Sequence, residues 1–270
     1  MQYEPIKRSL GRVFRKSVLL KKTLYLLLDL LLLRSWHVRK ALRRIGDTLP
    51  GNASALDAGS GFGQYSWRMS TRYRGWRIKG VDINSEEIAE CNRFFGATGR
   101  SGRVVFSEGD LTTLNESDQY DLILTVDVME HILEDEKVFS NFAAVLKEKG
   151  KLIISTPSDQ GGSDVHDHDD TSFIDEHVRD GYGKDEITSK LEKAGFTNIN
   201  VSYTYGKAGS LSWRISMKYP VKMLNISYLF FIILPFWYLV MFPLAIVLNF
   251  IDVNTVNKSG TGLLVTAEKK

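Results

Sequence analysis

Leu56-Asp57-Ala58-Gly59-Ser60-Gly61-Phe62-Gly63-Gln64 is the stretch that decides the fold. It joins a short apolar run to an amphipathic segment, and its three glycines fall where a buried strand must give way to a sharp turn. Glycine takes left-handed backbone at no steric cost and lets a ligand approach bare main chain. A turn of this kind after the first strand of a doubly wound sheet holds a nucleotide-like ligand. Dinucleotide sites use the spacing G-x-G-x-x-G, whereas this turn is G-x-G-x-G with Gln64 where the third glycine of that pattern should stand. The spacing favours a ligand without a pyrophosphate.

Outward from this turn the chain alternates strand-like and helix-like patterns. Strands are expected near residues 55–58, 77–81, 103–106, 121–126 and 151–156, which predicts a parallel sheet covered on both faces. In such sheets ligands lie beyond the carboxyl ends of the strands. The second strand ends at Val81-Asp82-Ile83, and Asn84-Ser85-Glu86-Glu87 reads as a capping box opening a helix. Asp82 is left at the strand tip, where a carboxylate can accept from both hydroxyls of a ribose, or simply face a helix N-terminus. The third strand ends in Glu108-Gly109-Asp110-Leu111, by residue type a common turn. The fourth, Tyr120–Val126, runs into Asp127-Val128-Met129-Glu130-His131. The fifth, Lys151–Pro157, follows Gly150, expected to end a Lys- and Glu-rich helix, and Pro157 stops it where a loop begins. Further on, Lys184–Ala194 reads as a helix closed by Gly195, and Thr197–Tyr205 and Gly262–Glu268 as strands.

Asp57–Gly63 resembles motif I of the class I S-adenosylmethionine-dependent methyltransferases, and the segments just quoted resemble the family's later motifs in the same order. The resemblance covers about residues 50–206 and 260–269. It implies an α/β, Rossmann-like sheet of seven strands, mostly parallel, with an antiparallel last strand beside the fifth and helices on both faces. It implies S-adenosyl-L-methionine as cosubstrate. Asp57, Gly59, Ser60, Gly61 and Phe62 would form its turn, and Asp82 with Ile83 would meet the ribose end. Asp110 would meet the adenine amino group beside a backbone contact from Leu111, and Val126 and Asp127 would flank the methionine end. It is silent on the acceptor, because one scaffold serves many.

Methyl transfer asks a protein mainly to hold nucleophile, methyl and sulfur in line. An acceptor hydroxyl, phenol or acidic carbon also needs a base, for which histidine is suited near neutral pH. His131, His166, His168 and His177 all fall at or after strand ends; His131 and His177 are the catalytic candidates. Asp127, Glu130 and His131 also resemble the acid-plus-histidine set of metal-using quinone O-methyltransferases, but Asp stands in the first place and no metal is expected. The loop from Gly161 to Asp170 is either a chelating His/Asp run or a solvated acidic loop that folds over ligand. Arg179 and Tyr182 are placed to close over a substrate.

At 270 residues the chain has room for one catalytic domain with additions. Residues 1–50 carry twelve Lys or Arg against three acids, and the remainder 23 against 29. A basic head on an acidic body suits an anionic surface. The single Cys91 excludes an intrachain disulfide and a Cys-based zinc site. Leu24–Leu33 is apolar but for Asp29, and too short for the ~20 residues that a spanning helix needs. It suits an interfacial helix with Lys21, Lys22 and Arg34 reaching headgroups, or a buried helix capping the sheet; no small-x-small cleavage site follows it, against a signal peptide.

Tyr228–Ile251 holds no charge over 24 residues. By length it can span, yet strands on both sides that share one sheet would keep its ends on one side. That leaves a membrane hairpin bent at Pro235 or Pro243, or a helical lid buried on the domain; a spanning helix requires the last strand to leave the sheet. Lys207, Arg214, Lys218 and Lys222 lead into it, as suits a membrane surface. The expected organisation is a basic, apolar helical region at 1–48, a cosubstrate-binding domain at 49–206 with 260–270, and an apolar insertion at 207–259. The expected partners are S-adenosylmethionine, a hydrophobic or lipid acceptor, and an anionic membrane at its cytoplasmic face. Nucleic acid is not expected, since aromatic-interleaved basic patches are lacking. The competing functions are a non-catalytic S-adenosylmethionine-binding membrane protein and a soluble small-molecule methyltransferase with an apolar lid.

Overall fold

β1 (Ser54–Ala58), β2 (Arg77–Asp82), β3 (Val104–Glu108), β4 (Tyr120–Val126), β5 (Leu146–Pro157), β6 (Phe196–Thr204) and β7 (Gly262–Lys269) form one sheet in the order β3-β2-β1-β4-β5-β7-β6. The computed structural model describes residues 17–115, 119–161, 179–227 and 229–270. β1 to β5 pair in parallel, and β7 runs antiparallel between β5 and β6. The glycine turn and strand spacing predict the parallel sheet, and the seven strands with an antiparallel one beside the fifth are what the resemblance at Asp57–Gly63 implies.

The helices are α1 (Val18–Leu31), α2 (Leu33–Gly46), α3 (Gln64–Arg72), α4 (Ser85–Ala97), α5 (Asp135–Val145), α6 (Lys184–Lys193), α7 (Lys207–Trp213), α8 (Tyr219–Ile226) and α9 (Phe230–Asn254). Strand side chains alternate between two cores. Leu56, Ala58, Ile123, Leu152 and Ile154 join Phe139, Phe142 and Ile187 on one face, while Ala55, Leu122, Leu124 and Ile153 join Val38, Met69 and Trp76 on the other. Neighbours of β1 on its two sides connect in opposite directions along the sheet, so the switch point falls at the end of β1.

Four expectations are corrected. Gly150 does not end a helix: α5 stops at Val145 and Leu146 already pairs with Tyr120, the register then slipping before Leu122 pairs with Lys151. Lys147, a helix former by type, is held instead by Asp121 at 2.8 Å, and Lys149 turns through φ 61° to make the bulge. Lys21 and Arg34 do not reach outward: Lys21 is buried against Glu90 at 3.0 Å, and Arg34 pairs with Asp127. Arg179 and Tyr182 are not free to close over a substrate, because both bond Asp135, at 2.5 and 2.8 Å, and Tyr182 is buried in the core.

The fourth correction concerns the insertion. α9 continues through Pro235 and Pro243 as one helix. The first arm of the hairpin, made of α7, a π-helical stretch (Arg214–Lys218) and α8, ends instead at Ser227, whose backbone is extended, and α9 is the other arm. Cross-links on both sides of Pro243 hold α9 together: Trp237 Nε1 and Tyr238 Oη donate to the Ile215 and Ser216 carbonyls at 2.9 and 2.8 Å, and Ser212 Oγ donates to Asn249 Oδ1 at 2.6 Å. The first two partners lie in the π stretch, where the ladder is irregular and carbonyls seek outside donors. The hairpin's other flank is bare. Phe231, Ile232, Phe236, Leu239, Val240, Val247 and Phe250 are all exposed, and by length and composition α9 is long enough to cross a membrane.

Candidate functional site

The turn after β1 is built from its own backbone. Gly59 and Ser60 amides donate to the Val81 carbonyl at 2.8 and 3.0 Å, and Gly63 to the Ser60 carbonyl at 2.9 Å. All three glycines have positive φ. At Gly59 a side chain is also excluded by space, since a Cβ there would lie 2.2 Å from Val128 Cγ2.

Asp82 ties this turn to the next. Its Oδ2 accepts from the Gly61 amide at 2.8 Å and its Oδ1 from the Asn84 amide at 2.9 Å, while its carbonyl accepts from Gly109 at 3.0 Å. Asn84 caps α4 by accepting from Glu86 and Glu87. Gly61, Asp82 and the Gly109-Asp110 turn therefore meet around one point. A carboxylate has about four acceptor positions, so two remain for hydroxyl donors. Ile83 beside it is 75% exposed, an apolar face at the edge of the same hollow. Asp110 is exposed and caps the next turn through Thr112 at 2.8 Å. Leu111 packs its side chain into the core and gives its carbonyl to Asn141, so only its backbone can serve a ligand.

Asp57 sits behind the turn. It is buried and accepts from Ser66 Oγ at 2.6 Å. Burial pushes its carboxyl up to about 7, against the Ser66 hydrogen bonds and with help from the Asp82 charge. Its role is to hold β1 to α3.

α1 and α2 roof the site. Tyr25 Oη donates to the Phe62 carbonyl at 2.5 Å, and its ring stacks 6.2 Å from that of Phe62. Asp29, the one acid in the apolar run, accepts from Gln64 Nε2 at 2.9 Å and pairs with Arg68. Its presence in that run was the signal that this face docks on protein. Arg34 brings its guanidinium to Asp127, whose φ of 53° follows the end of β4, and its amide donates to Tyr205 Oη at 3.1 Å. An adjacent cation and anion suit a zwitterion such as an amino acid. Arg34 Nε and Ser60 Oγ are buried without a partner among the described residues, as donors awaiting a ligand are.

Val126 ends β4, and Glu130 is buried behind it, accepting from Thr156 Oγ1 at 3.1 Å. Burial holds the Glu130 carboxyl above its ordinary value. His131 is exposed, four residues beyond Asp127. His166, His168 and His177 lie outside the described residues. Tyr25 and Tyr205 are site neighbours that no local sequence pattern reveals, because nothing local marks a tyrosine that bonds a distant turn.

The family model described as a methyltransferase domain matches residues 34–201. Phosphoethanolamine N-methyltransferase 2 of Caenorhabditis elegans is 27% identical over 161 residues, 59% of this chain and 36% of that protein. The chain thus spans about a third of that relative's length. Among solved structures, phosphoethanolamine N-methyltransferase 2 of Haemonchus contortus, in complex with S-adenosyl-L-methionine, superposes with a TM-score of 0.60 at 18% identity, over 87% of this chain and 52% of that one. The [4+2]-cyclase SpnF superposes with a TM-score of 0.56 at 16% identity, over 85% and 80%. Likenesses this distant are of fold, and the cyclase shows that the fold alone does not fix the chemistry.

Proposed function

From the premise that this chain belongs to the methyltransferase-domain family, we propose that it transfers a methyl group from S-adenosyl-L-methionine to a hydrophobic acceptor resident in a membrane, working from the cytoplasmic face. The cosubstrate supplies, when bound, a methyl on a positively charged sulfur. The residues fit it. Asp82 has acceptor positions for two ribose hydroxyls, Ile83 offers an apolar face to the base, and Asp110 lies beside them. Ser60 Oγ and Arg34 Nε are donors without partners among the described residues, and Arg34 with Asp127 matches the two charges of an amino acid. Each of these contacts fixes position, which is most of what methyl transfer needs. Proton removal from the acceptor falls to His131, the described histidine next along the chain from Asp127.

The acceptor assignment rests on one observation: a 25-residue apolar helix with a bare flank rises from the edge of the sheet that carries the site. Water does not favour such a surface, and a bilayer does. The test compares lipid extracts of cells with and without the protein, seeking pairs that differ by one methylene; changes confined to water-soluble amines would overturn the lipid acceptor. That outcome would favour a second reading, in which the acceptor is a small amine like the phosphoethanolamine named for the relatives and α9 is a lid. The cytoplasmic placement is checked with single cysteines at Ser210 and Ser259 in a Cys91→Ser background. Both should react with an impermeant reagent only in opened membranes, and reaction of either in intact cells overturns it.

A further inference from the structure

α2 begins one residue after α1 ends, and Leu32, the extended residue between them, has no side-chain acceptor to offer the first amides of α2. A helix start without such a cap leaves its amides to remote acceptors or to water. Here the acceptor is remote: the Arg34 amide, the second of the helix, donates to Tyr205 Oη at 3.1 Å. Tyr205 stands 171 residues further along the chain, where β6 leads into α7.

Tyr205 is itself fixed. Its φ of 55° is left-handed, which is uncommon for an aromatic residue, and three bonds hold its backbone there. The amide donates to Asp252 Oδ2 at 3.2 Å, and the carbonyl accepts from Ser210 Oγ at 3.0 Å and from the Thr261 amide at 3.4 Å. Backbone of this kind persists where its surroundings over-determine it, and such residues gather at functional sites.

Two more residues of α2 bind the same region. His37 Nε2 lies 2.8 Å from Asp252 Oδ2, and Lys40 Nζ donates to the Val253 carbonyl at 2.7 Å and to Asn254 Oδ1 at 3.1 Å. Arg34, His37 and Lys40 fall on successive turns of the helix. The root of the hairpin therefore sets the first turn of α2, and that turn carries the guanidinium that pairs with Asp127.

We propose that Tyr205 is a positioning residue for the amino-acid end of the methyl donor: its hydroxyl seats the start of α2 so that the Arg34 guanidinium meets Asp127. The inference rests on the reading of Arg34 and Asp127 as the pair that meets that end. It makes the junction of β6 and the hairpin a determinant of cosubstrate binding. Loss of the hydroxyl leaves Arg34 in place along the chain but frees the helix turn that aims it, so the effect falls on the end of the ligand that Arg34 holds.

The test titrates the full purified chain calorimetrically with S-adenosylmethionine and with 5′-methylthioadenosine, which keeps the adenine, ribose, sulfur and methyl but lacks the amino-acid end. Tyr205→Phe should weaken S-adenosylmethionine binding about fivefold, the usual effect of losing a helix cap, and leave 5′-methylthioadenosine binding unchanged. Arg34→Gln should weaken S-adenosylmethionine binding about tenfold or more, as for a lost hydrogen bond to a charged group, and adding Tyr205→Phe to it should change nothing further. Tyr203→Phe removes a hydroxyl that bonds Gln160 Nε2 at 2.7 Å and not α2, and should bind both ligands as the parent does. Weaker binding of both ligands by Tyr205→Phe, no change in either, or an effect that adds in full to that of Arg34→Gln overturns the proposal. Parental affinity of Arg34→Gln for S-adenosylmethionine overturns instead the reading of the charge pair, and the role of Tyr205 with it.

Discussion

Replacing Gly59 by alanine isolates what the glycine turn requires. The backbone there has φ 76° and the new Cβ would lie 2.2 and 2.9 Å from the two methyls of Val128. Left-handed backbone costs an L-residue about 1–2 kcal/mol, and overpacking adds about 1–3 kcal/mol, so Gly59→Ala should destabilise by about 2–5 kcal/mol. Gly61 is the comparison: its φ is 47°, but a Cβ would meet only the flexible end of Glu87, at 3.4 Å. Only the backbone cost of about 1–2 kcal/mol applies there. Val128→Ala removes the clashing methyls, so in a double-mutant cycle it should return about 1–3 kcal/mol to Gly59→Ala, within the range measured for residues in contact. Urea unfolding followed by tryptophan fluorescence reads the four proteins of the cycle and Gly61→Ala. If Gly59→Ala costs no more than Gly61→Ala, or shows no coupling to Val128, then the packing of the β4 loop on the turn is not what demands glycine. Gly61→Ala should instead lower affinity for S-adenosylmethionine in calorimetric titration, because it strains the residue whose amide holds Asp82 in place.

Asp57 makes stability depend on pH in a known direction. Its folded value is raised to about 7 from 3.8, so its contribution is full below about pH 4 and is lost as pH rises through 7; relative to wild type, Asp57→Asn should gain stability between pH 5 and 8, and parallel urea midpoints across that range would refute the assignment. Asp252 should be the clasp of the hairpin. Wholly buried, it accepts from the amides of Gly206 and Gly209 at 2.9 and 3.1 Å and lies 2.8 Å from His37 Nε2, so Asp252→Ala should cost about 3–5 kcal/mol and open 207–259 to limited proteolysis, with an unchanged cleavage pattern counting against it. Asp82→Ala should weaken S-adenosylmethionine binding by about 1.5–3 kcal/mol, with Asp82→Asn between the two; an unchanged dissociation constant by calorimetry would leave Asp82 as a helix-end charge.

The sheet was legible because each strand carries its own signal. Alternation of apolar runs with capped helices needs only local sequence, and Asn84 or Pro157 marks a boundary wherever the chain goes next. The turn residues were legible for the same reason: Gly59, Gly61 and Asp82 belong to segments whose geometry is fixed by neighbours in sequence. Arg34, Tyr25 and Tyr205 were not, since their partners at Asp127, Phe62 and Arg34 are remote in the chain. Lys147 to Gly150 misled by propensity, because lysine and glutamate favour helix until an acid such as Asp121 claims one of them across a strand. The two prolines misled in the opposite way. Each removes one amide from α9, but the cross-links that Trp237, Tyr238 and Asn249 make with the facing arm hold the helix in line on both sides of Pro243.

The place of the insertion matters more than its composition. β6 ends and β7 begins at one edge, with Thr204 and Pro157 both paired to Gly262, so whatever is inserted between them must leave and return on the side where the carboxyl ends lie. An apolar segment there cannot cross a bilayer once and still let β7 complete the sheet; it can only dip and come back. The hairpin of α7–α9 has that form, and Asp252 with His37 fixes its root to α2, the helix that also carries Arg34 over the site. A surface that grips α9 therefore bears on the roof of the cosubstrate hollow through one helix. The hairpin, its root at Asp252 and the charge pair at Asp127 are joined by covalent chain and buried hydrogen bonds, and any insertion at another strand junction would have separated them.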